Sequence, residues 1–247
     1  MSGSGKFGRM YEVPNPMGGQ LPPTPGRAPL FFVDRFDWPS HYRMLILGQT
    51  GCGKTYLEKR LMDQKYGRVP LVVYQSKPRV GSLDKLDCVR VRSNEQLAKY
   101  LRGNTREPLV IFKPTLEEAQ LRETTEEFCR LMLYSKGPLI VVIDETSHFT
   151  SFSPLPSVMF AALITQGREL RKGVIMAAQE PAYLPRMVYA ECSTIFRMYV
   201  HGGTNLKALR DKLPYPLAVQ PLPPGQHALT VWDTRDREHA YGFRRAV

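Results

Sequence analysis

The stretch from Arg43 to Thr55 constrains this chain more than any other. An apolar run, Met44-Leu45-Ile46-Leu47, breaks into Gly48-Gln49-Thr50-Gly51-Cys52-Gly53-Lys54-Thr55. A buried strand that feeds the pattern G-x-x-x-x-G-K-[ST] is a phosphate loop, because glycines at its ends and at Gly51 let the backbone curl until successive N–H groups point inward at an anion. Lys54 then reaches the β- and γ-phosphates, and Thr55 offers a hydroxyl to Mg²⁺. The segment from Thr55 to Lys65 reads as a helix whose positive N-terminal end adds to the field. The expected ligands are ATP and Mg²⁺, cradled by the eight residues Gly48 to Thr55. A glycine-rich turn that binds nothing is the bland alternative, and the flanking strand and helix disfavour it. Cys52 lies within the loop, so thiol modification is expected to block hydrolysis, with ATP protecting.

A second constellation adds chemistry to binding. Leu139-Ile140-Val141-Val142-Ile143 leads directly into Asp144-Glu145. A wholly apolar strand with acids at its carboxyl end is the Walker B pattern: Asp144 can hold Mg²⁺ directly or through water, and Glu145 can orient and deprotonate an attacking water. Adjacent acids can also merely cap a turn, a reading that weakens with a phosphate loop upstream. A further strand, Gly173 to Ala178, ends at Gln179, an amide that could reach the γ-phosphate or simply cap its loop.

The 247 residues carry 34 Lys and Arg against 23 Asp and Glu, a formal charge of +11, which suits a polyanionic partner. Four cysteines without C-x-x-C spacing and five isolated histidines argue for a reducing compartment and against a structural zinc. No apolar run approaches the roughly 18 to 20 residues that span a bilayer, and Met1 to Gly19 lacks the apolar core of a secretory signal. A soluble chain that does not itself span a membrane is expected.

In chain order, residues 1–40 form a Pro- and Gly-rich arm, where Pro14, Pro16, Pro22, Pro23, Pro25 and Pro29 forbid regular structure. It is either a tail or a strap on a neighbour. Leu30 to Val33 and Trp38 are apolar enough to dock on the core. Strands are expected at Val69 to Gln75, Asp87 to Val91 and Leu109 to Phe112, with a short helix from Glu95 to Leu101. A long helix opens at Thr115 and stops at Gly137-Pro138, and another runs from about Leu155 to Arg171. Thr194 to Val200 reads as a strand and Thr204 to Lys212 as a helix, before a β-rich tail with strands near Leu217 to Gln220, Ala228 to Trp232 and His239 to Phe243. Alternation of strands and helices predicts an α/β fold with a mainly parallel sheet and the nucleotide at the carboxyl ends of its strands.

The run Gly167-Arg168-Glu169-Leu170-Arg171-Lys172-Gly173-Val174-Ile175-Met176-Ala177-Ala178-Gln179-Glu180-Pro181, with the phosphate loop, Ile143-Asp144-Glu145 and Glu191 to Arg197, resembles the FtsK/HerA superfamily of P-loop ATPases over roughly residues 43–213. Within it the chain is most similar to the genome-packaging ATPases of tailless, membrane-containing double-stranded DNA viruses. The resemblance implies a RecA-like core over 41–213, an irregular arm over 1–40 and a β-rich tail over 214–247 packed on the core. It makes Gln179 the polar sensor and Arg168 the trans-acting arginine finger, with Arg171 the second choice. Three departures stand out: Glu180 replaces an arginine, Arg171 stands where glycine is common, and Gln75-Ser76-Lys77-Pro78 lacks an aspartate. The arm is too short for the amino-terminal barrel of HerA helicases or the membrane domain of FtsK, so a bare motor is expected.

The same resemblance implies a homo-oligomeric, hexameric ring in the host cytoplasm or at a packaging vertex of the virion. Such a ring would hydrolyse ATP to move double-stranded DNA into a preformed capsid, docked on a capsid vertex or virion membrane protein. Candidate DNA contacts are Lys77, Arg79, Lys85 and the His148 to Ser157 loop, although no spacing rule selects them. Three alternatives stay open: a plasmid-transfer or chromosome-processing ATPase, a protein-moving virion morphogenesis ATPase, and a scaffold that binds ATP without cycling.

Overall fold

The computed structural model describes residues 7–12, 38–75, 88–103, 109–114, 118–150, 157–213, 229–233 and 236–245. Among the described residues ten strands form one sheet: β1 (Phe7–Glu12), β2 (Arg43–Leu47), β3 (Leu71–Tyr74), β4 (Val89–Val91), β5 (Leu109–Phe112), β6 (Leu139–Ile143), β7 (Lys172–Ala178), β8 (Thr194–Arg197), β9 (Leu229–Asp233) and β10 (Asp236–Arg245). Their order is β1-β10-β9-β8-β2-β7-β6-β3-β5-β4. From β8 to β4 the strands are all parallel, while β9, β10 and β1 extend the sheet antiparallel beyond β8.

The parallel strands are short and apolar because helices cover both faces. Alternate residues split between two cores. Leu45, Leu47, Tyr74, Phe112, Ile143 and Met176 pack toward α2 (Asn94–Arg102), α3 (Glu118–Tyr134), α4 (Val158–Gln166), α5 (Arg186–Glu191) and α6 (Gly203–Lys212). Met44, Ile46, Val73, Val142 and Ile175 pack toward α1 (Lys54–Lys65). Trp38 completes that second core: it is fully buried, its indole N–H donates to Gln64 Oε1 at 2.7 Å, and the Lys65 ammonium lies 4.8 Å from its ring centroid. Docking of Trp38 is thus as expected; Leu30 to Val33 lie outside the described residues.

Three sequence expectations change. The arm is not wholly irregular, since Phe7–Glu12 pairs antiparallel with β10; the prolines begin only at Pro14 and leave that hexapeptide free to form a ladder. Helix α4 ends at Gln166 rather than at Arg171. Gly167 and Lys172 close a turn there, with Lys172 N–H donating to Gly167 O at 2.7 Å, so Arg168 and Arg171 ride on a turn and not on a helix face. The segment after Glu145 is not a free loop at its start. Thr146–Phe149 forms a 3₁₀ turn that buries Phe149 against Tyr74 and Phe160, with ring centroids 4.7 and 5.2 Å away.

The α4 start is fixed by Ser157, whose hydroxyl oxygen accepts from Phe160 N–H at 3.2 Å as an N-cap. The expected cap at Thr115, the strand near Leu217 to Gln220 and the remainder of the His148 to Ser157 loop, 151–156, lie outside the described residues. Among the described residues no helix is long and apolar enough to cross a membrane.

Candidate active site

Strand β2 delivers the phosphate loop to the carboxyl edge of the sheet. The loop's first residue, Gly48, donates its N–H to Ala178 O of β7 at 3.1 Å, and Gln49 N–H donates to Tyr199 O beyond β8 at 2.9 Å, so the loop is tied to both neighbouring strands. Gly48 has no room for a side chain: a Cβ there would sit 2.5 Å from Cys52 Sγ and 2.8 Å from Met198 Cβ. Gly53 precedes α1 with φ 101°, a left-handed conformation that glycine adopts without strain. No side chain caps α1, which leaves its first N–H groups to an anion. Lys54 is buried and donates to Gly48 O at 2.6 Å and Gln49 O at 2.9 Å, which holds its ammonium along the mouth of the loop.

The acids arrive on β6. Asp144 and Glu145 are 4 % and 5 % exposed, and burial of this order is rare for carboxylates without partners. Glu145 has three donors around it: Gln179 Nε2 at 2.7 Å and Ser147 Oγ at 2.9 Å, with the longer Gln179 backbone N–H at 3.4 Å. Gln179, at the end of β7, turns its other face to the phosphate loop, where its Oε1 accepts from Thr50 Oγ1 at 2.5 Å. One carboxamide therefore spans from the acid to the loop. Between them lies a cavity of about 250 Å³ lined by Thr50, Gly51, Gly53, Lys54, Thr55, Tyr56, Asp144 and Gln179.

The donors suit a triphosphate and its cation. Lys54 and the loop residues Thr50, Gly51 and Gly53 line the cavity, and Thr55 and Asp144 bring to its lining the kind of oxygen ligands that Mg²⁺ prefers. Cys52 is placed differently. Its Sγ lies 3.5 Å from Met198 Sδ beneath the loop, and burial raises its pKa. Only the backbone of Cys52 can serve a ligand in the cavity, so the expected nucleotide-protected thiol points away from it.

The two arginines sit at the opposite edge. Strand β7 begins at Lys172 and ends at Ala178, so its seven residues at about 3.3 Å each hold the Arg168 to Arg171 turn roughly 20 Å from Gln179. Arg168 and Arg171 are exposed, and both charges, with Arg43, add to burial in lowering the pKa of His41 beside them. Arg171 has φ 58°, a conformation in which glycine is unstrained. Lys77, Arg79 and Lys85 lie outside the described residues.

Two partners of the site carry no local sequence signal. Thr50 meets Gln179 across 129 positions, and Gln49 Nε2 meets His201 Nδ1 across 152. Only the sheet order, which sets β7 and β8 on either side of β2, brings them together.

Strand, loop, helix and strand-end acids together have the architecture of a P-loop NTPase with a RecA-like sheet. No family model matches the chain, and no curated protein matches its sequence. Solved structures do match. The genome-packaging NTPase B204 of Sulfolobus turreted icosahedral virus 2, in complex with ATP-gammaS, superposes with a TM-score of 0.65 at 14 % identity, covering 84 % of this chain and 99 % of that one. B204, the DNA-packaging ATPase of Sulfolobus turreted icosahedral virus, gives a TM-score of 0.61 at 15 % identity over 85 % and 98 % of the two chains. The cytoplasmic domain of the type VII secretion ATPase EccC of Thermomonospora curvata gives 0.55 at 15 % identity, over 85 % of this chain and 24 % of that one. These likenesses show the fold, a RecA-like α/β sheet with a phosphate loop.

Proposed function

We propose that this chain is an ATP-hydrolysing motor that moves double-stranded DNA into a preformed viral capsid. The observation that carries the reading is Gln179, hydrogen-bonded at once to Glu145 and to the phosphate loop. A binder needs only the loop. A carboxylate positioned beside it by an amide is what hydrolysis needs, and it counts against a scaffold that binds ATP without cycling.

ATP with Mg²⁺ would supply the transferable phosphoryl group and the cation that neutralises its charge. The residues of the chain do the rest. Gly48 to Thr55 would wrap the phosphates, Lys54 would neutralise charge at their outer end, and Thr55 and Asp144 would hold the cation. Glu145 orients the attacking water and accepts its proton, while Gln179 fixes the carboxylate and reports on the loop. Arg168 lies too far from Gln179 to serve its own site, so as a finger it would act on a neighbour's, with Arg171 the second choice. That arrangement requires a homo-oligomer, and a hexameric ring around DNA is the reading we favour.

Support for DNA comes from the charge of +11 and from the near-complete coverage of the packaging NTPases. Contacts would be to phosphates and salt-sensitive, with Lys77, Arg79 and Lys85 as candidates. Residues 1–40 and 214–247 would flank a motor core of 41–213, working in the host cytoplasm or at a capsid vertex or virion membrane protein. The likeness to EccC supports a second reading, a motor that moves protein.

Phosphate release tests the proposal. Lys54→Ala and Glu145→Gln should each abolish turnover with the fold intact, and near-normal hydrolysis by Glu145→Gln removes it as the base. Double-stranded DNA at low salt should stimulate the wild type; a rate indifferent to DNA rules out the DNA motor and leaves the protein-moving reading.

A further inference from the structure

Lys172, the first residue of β7, is the one described lysine that is buried to 1 % and lies outside the phosphate site. Its ammonium donates to Ser135 O at 2.6 Å, Ser135 Oγ at 2.8 Å and Gly137 O at 2.6 Å. All three acceptors are uncharged. They belong to the segment that leaves α3, so the amine caps the carbonyl end of that helix from below. An ammonium so placed is disfavoured by burial, which lowers its pKa to about 8. A neutral side chain could fill the same volume without that cost, so the position calls for an explanation.

The explanation lies directly above it. Lys172 closes the turn that carries Arg168 and Arg171, through its own N–H to Gly167 O at 2.7 Å. The same turn is held by Arg171 N–H to Arg168 O at 3.0 Å and by Leu139 N–H to Arg171 O at 3.4 Å. Everything at its crest faces outward: Arg168, Glu169 and Arg171 are exposed, as is Leu170 at 44 %. The left-handed Arg171 does not hold its conformation cheaply. Its placement depends on what is beneath it. The α3–β6 segment is fixed by a seventeen-residue helix and a fully buried strand, and Lys172 ties the turn to that frame.

We infer that Lys172 is a positioning residue for the arginine turn, a buried post that fixes where Arg168 and Arg171 project toward a neighbouring subunit. The inference rests on the proposed intersubunit site. A finger acts only when its guanidinium meets the developing charge, and misplacement by about 1 Å costs on the order of 10²-fold in rate. Loss of the post should therefore resemble loss of the finger, with nucleotide binding in the same subunit spared.

The test uses the full-length chain with Lys172→Met, and Lys172→Gln as a milder variant that still donates hydrogen bonds. Arg168→Ala and Arg171→Ala are measured in parallel. The expected result for Lys172→Met is a fall in kcat of roughly 10- to 100-fold with the Kd for ATP within about twofold of wild type. Mixing with Glu145→Gln should restore activity, because the Lys172→Met subunit keeps a working site and the Glu145→Gln subunit offers an intact turn. Should Lys172→Met not fold, the same pattern is read in Lys172→Gln. A wild-type kcat in the variant overturns the inference alone if Arg168→Ala or Arg171→Ala is inactive. A low kcat that mixing does not restore also overturns it, since that marks damage within the subunit. Wild-type kcat in both arginine variants removes the finger reading itself, and this inference with it.

Discussion

Replacing Gln179 with alanine removes both ends of the bridge between the acid and the phosphate loop. The larger loss is the 2.7 Å bond from Nε2 to the Glu145 carboxylate. A hydrogen bond to a charged group contributes roughly 1.5 to 3 kcal/mol. At about 1.4 kcal/mol per decade of rate this converts to a fall in kcat of roughly 10- to 150-fold if the bond matters chiefly in the transition state. The Thr50 bond at 2.5 Å is between neutral groups and shapes the loop, so the Kd for ATP should rise only a few-fold. Single-turnover phosphate release gives the first quantity and titration with a fluorescent ATP analogue the second. Gln179→Glu sharpens the experiment. It would set a second carboxylate against that of Glu145, and two like charges so close cannot both stay ionised. The acid limb of its pH–rate profile should move to higher pH, and further than that of Gln179→Ala, which loses a donor but gains no like charge. A wild-type kcat in Gln179→Ala would refute the reasoning, because the bridge would then be an idle loop cap.

Arg171→Gly should stabilise the fold by about 0.5 to 1 kcal/mol, since relief of a left-handed non-glycine residue exceeds the extra entropy of glycine in the unfolded chain; for a chain of this size that raises Tm by about 1 to 4 °C, and a lower Tm would show that the Arg171 side chain holds the turn. Cys52 should react with an aromatic disulfide at least about tenfold more slowly than free cysteine at pH 8, as burial raises its pKa, and added ATP should not change the rate; fast, nucleotide-protected labelling would place its thiol in the cavity. The Lys172 amine, at about 8 in the fold against 10.5 ordinarily, binds fewer protons than the unfolded chain between those values. Stability relative to Lys172→Met should therefore be level below about pH 8 and rise from there toward pH 10, as read from urea midpoints; a relative stability that falls over that range contradicts the burial argument.

The parallel strands were readable because strands buried on both faces are continuous apolar runs, and Leu139 to Ile143 or Leu71 to Tyr74 admit little else. The phosphate loop was readable because its glycines and lysine are contiguous. Legibility fails where the cause is distant. Phe7–Glu12 becomes a strand by pairing with residues 241–245, and nothing in six residues announces a partner at the other terminus. The end of α4 is hidden in the sequence because Arg168-Glu169-Leu170-Arg171 is helix-compatible throughout, and the turn declares itself only through backbone bonds such as Lys172 N–H to Gly167 O. Lys172 itself reads as one more surface charge in a basic stretch, and its burial follows from where α3 ends.

The placement of the two arginines bears on assembly independently of any family. Gln179 and Lys172 terminate the same strand, one at the edge with the acids and the other at the edge with Arg168 and Arg171. A straight strand of seven residues cannot fold back on itself, so no motion within one sheet brings those guanidiniums to Glu145. Either they take no part in hydrolysis or they act across a contact that joins the carboxyl edge of one sheet to the amino edge of the next. Such a contact joins unlike edges: repeated head-to-tail it closes into a ring or runs on as a filament, and made twice across a two-fold axis it gives an antiparallel dimer with two shared sites. The mixing of Arg168→Ala with Glu145→Gln tests this directly. Recovery of activity requires the joined edges, and its absence would leave the arginines as surface charges and each subunit complete in itself.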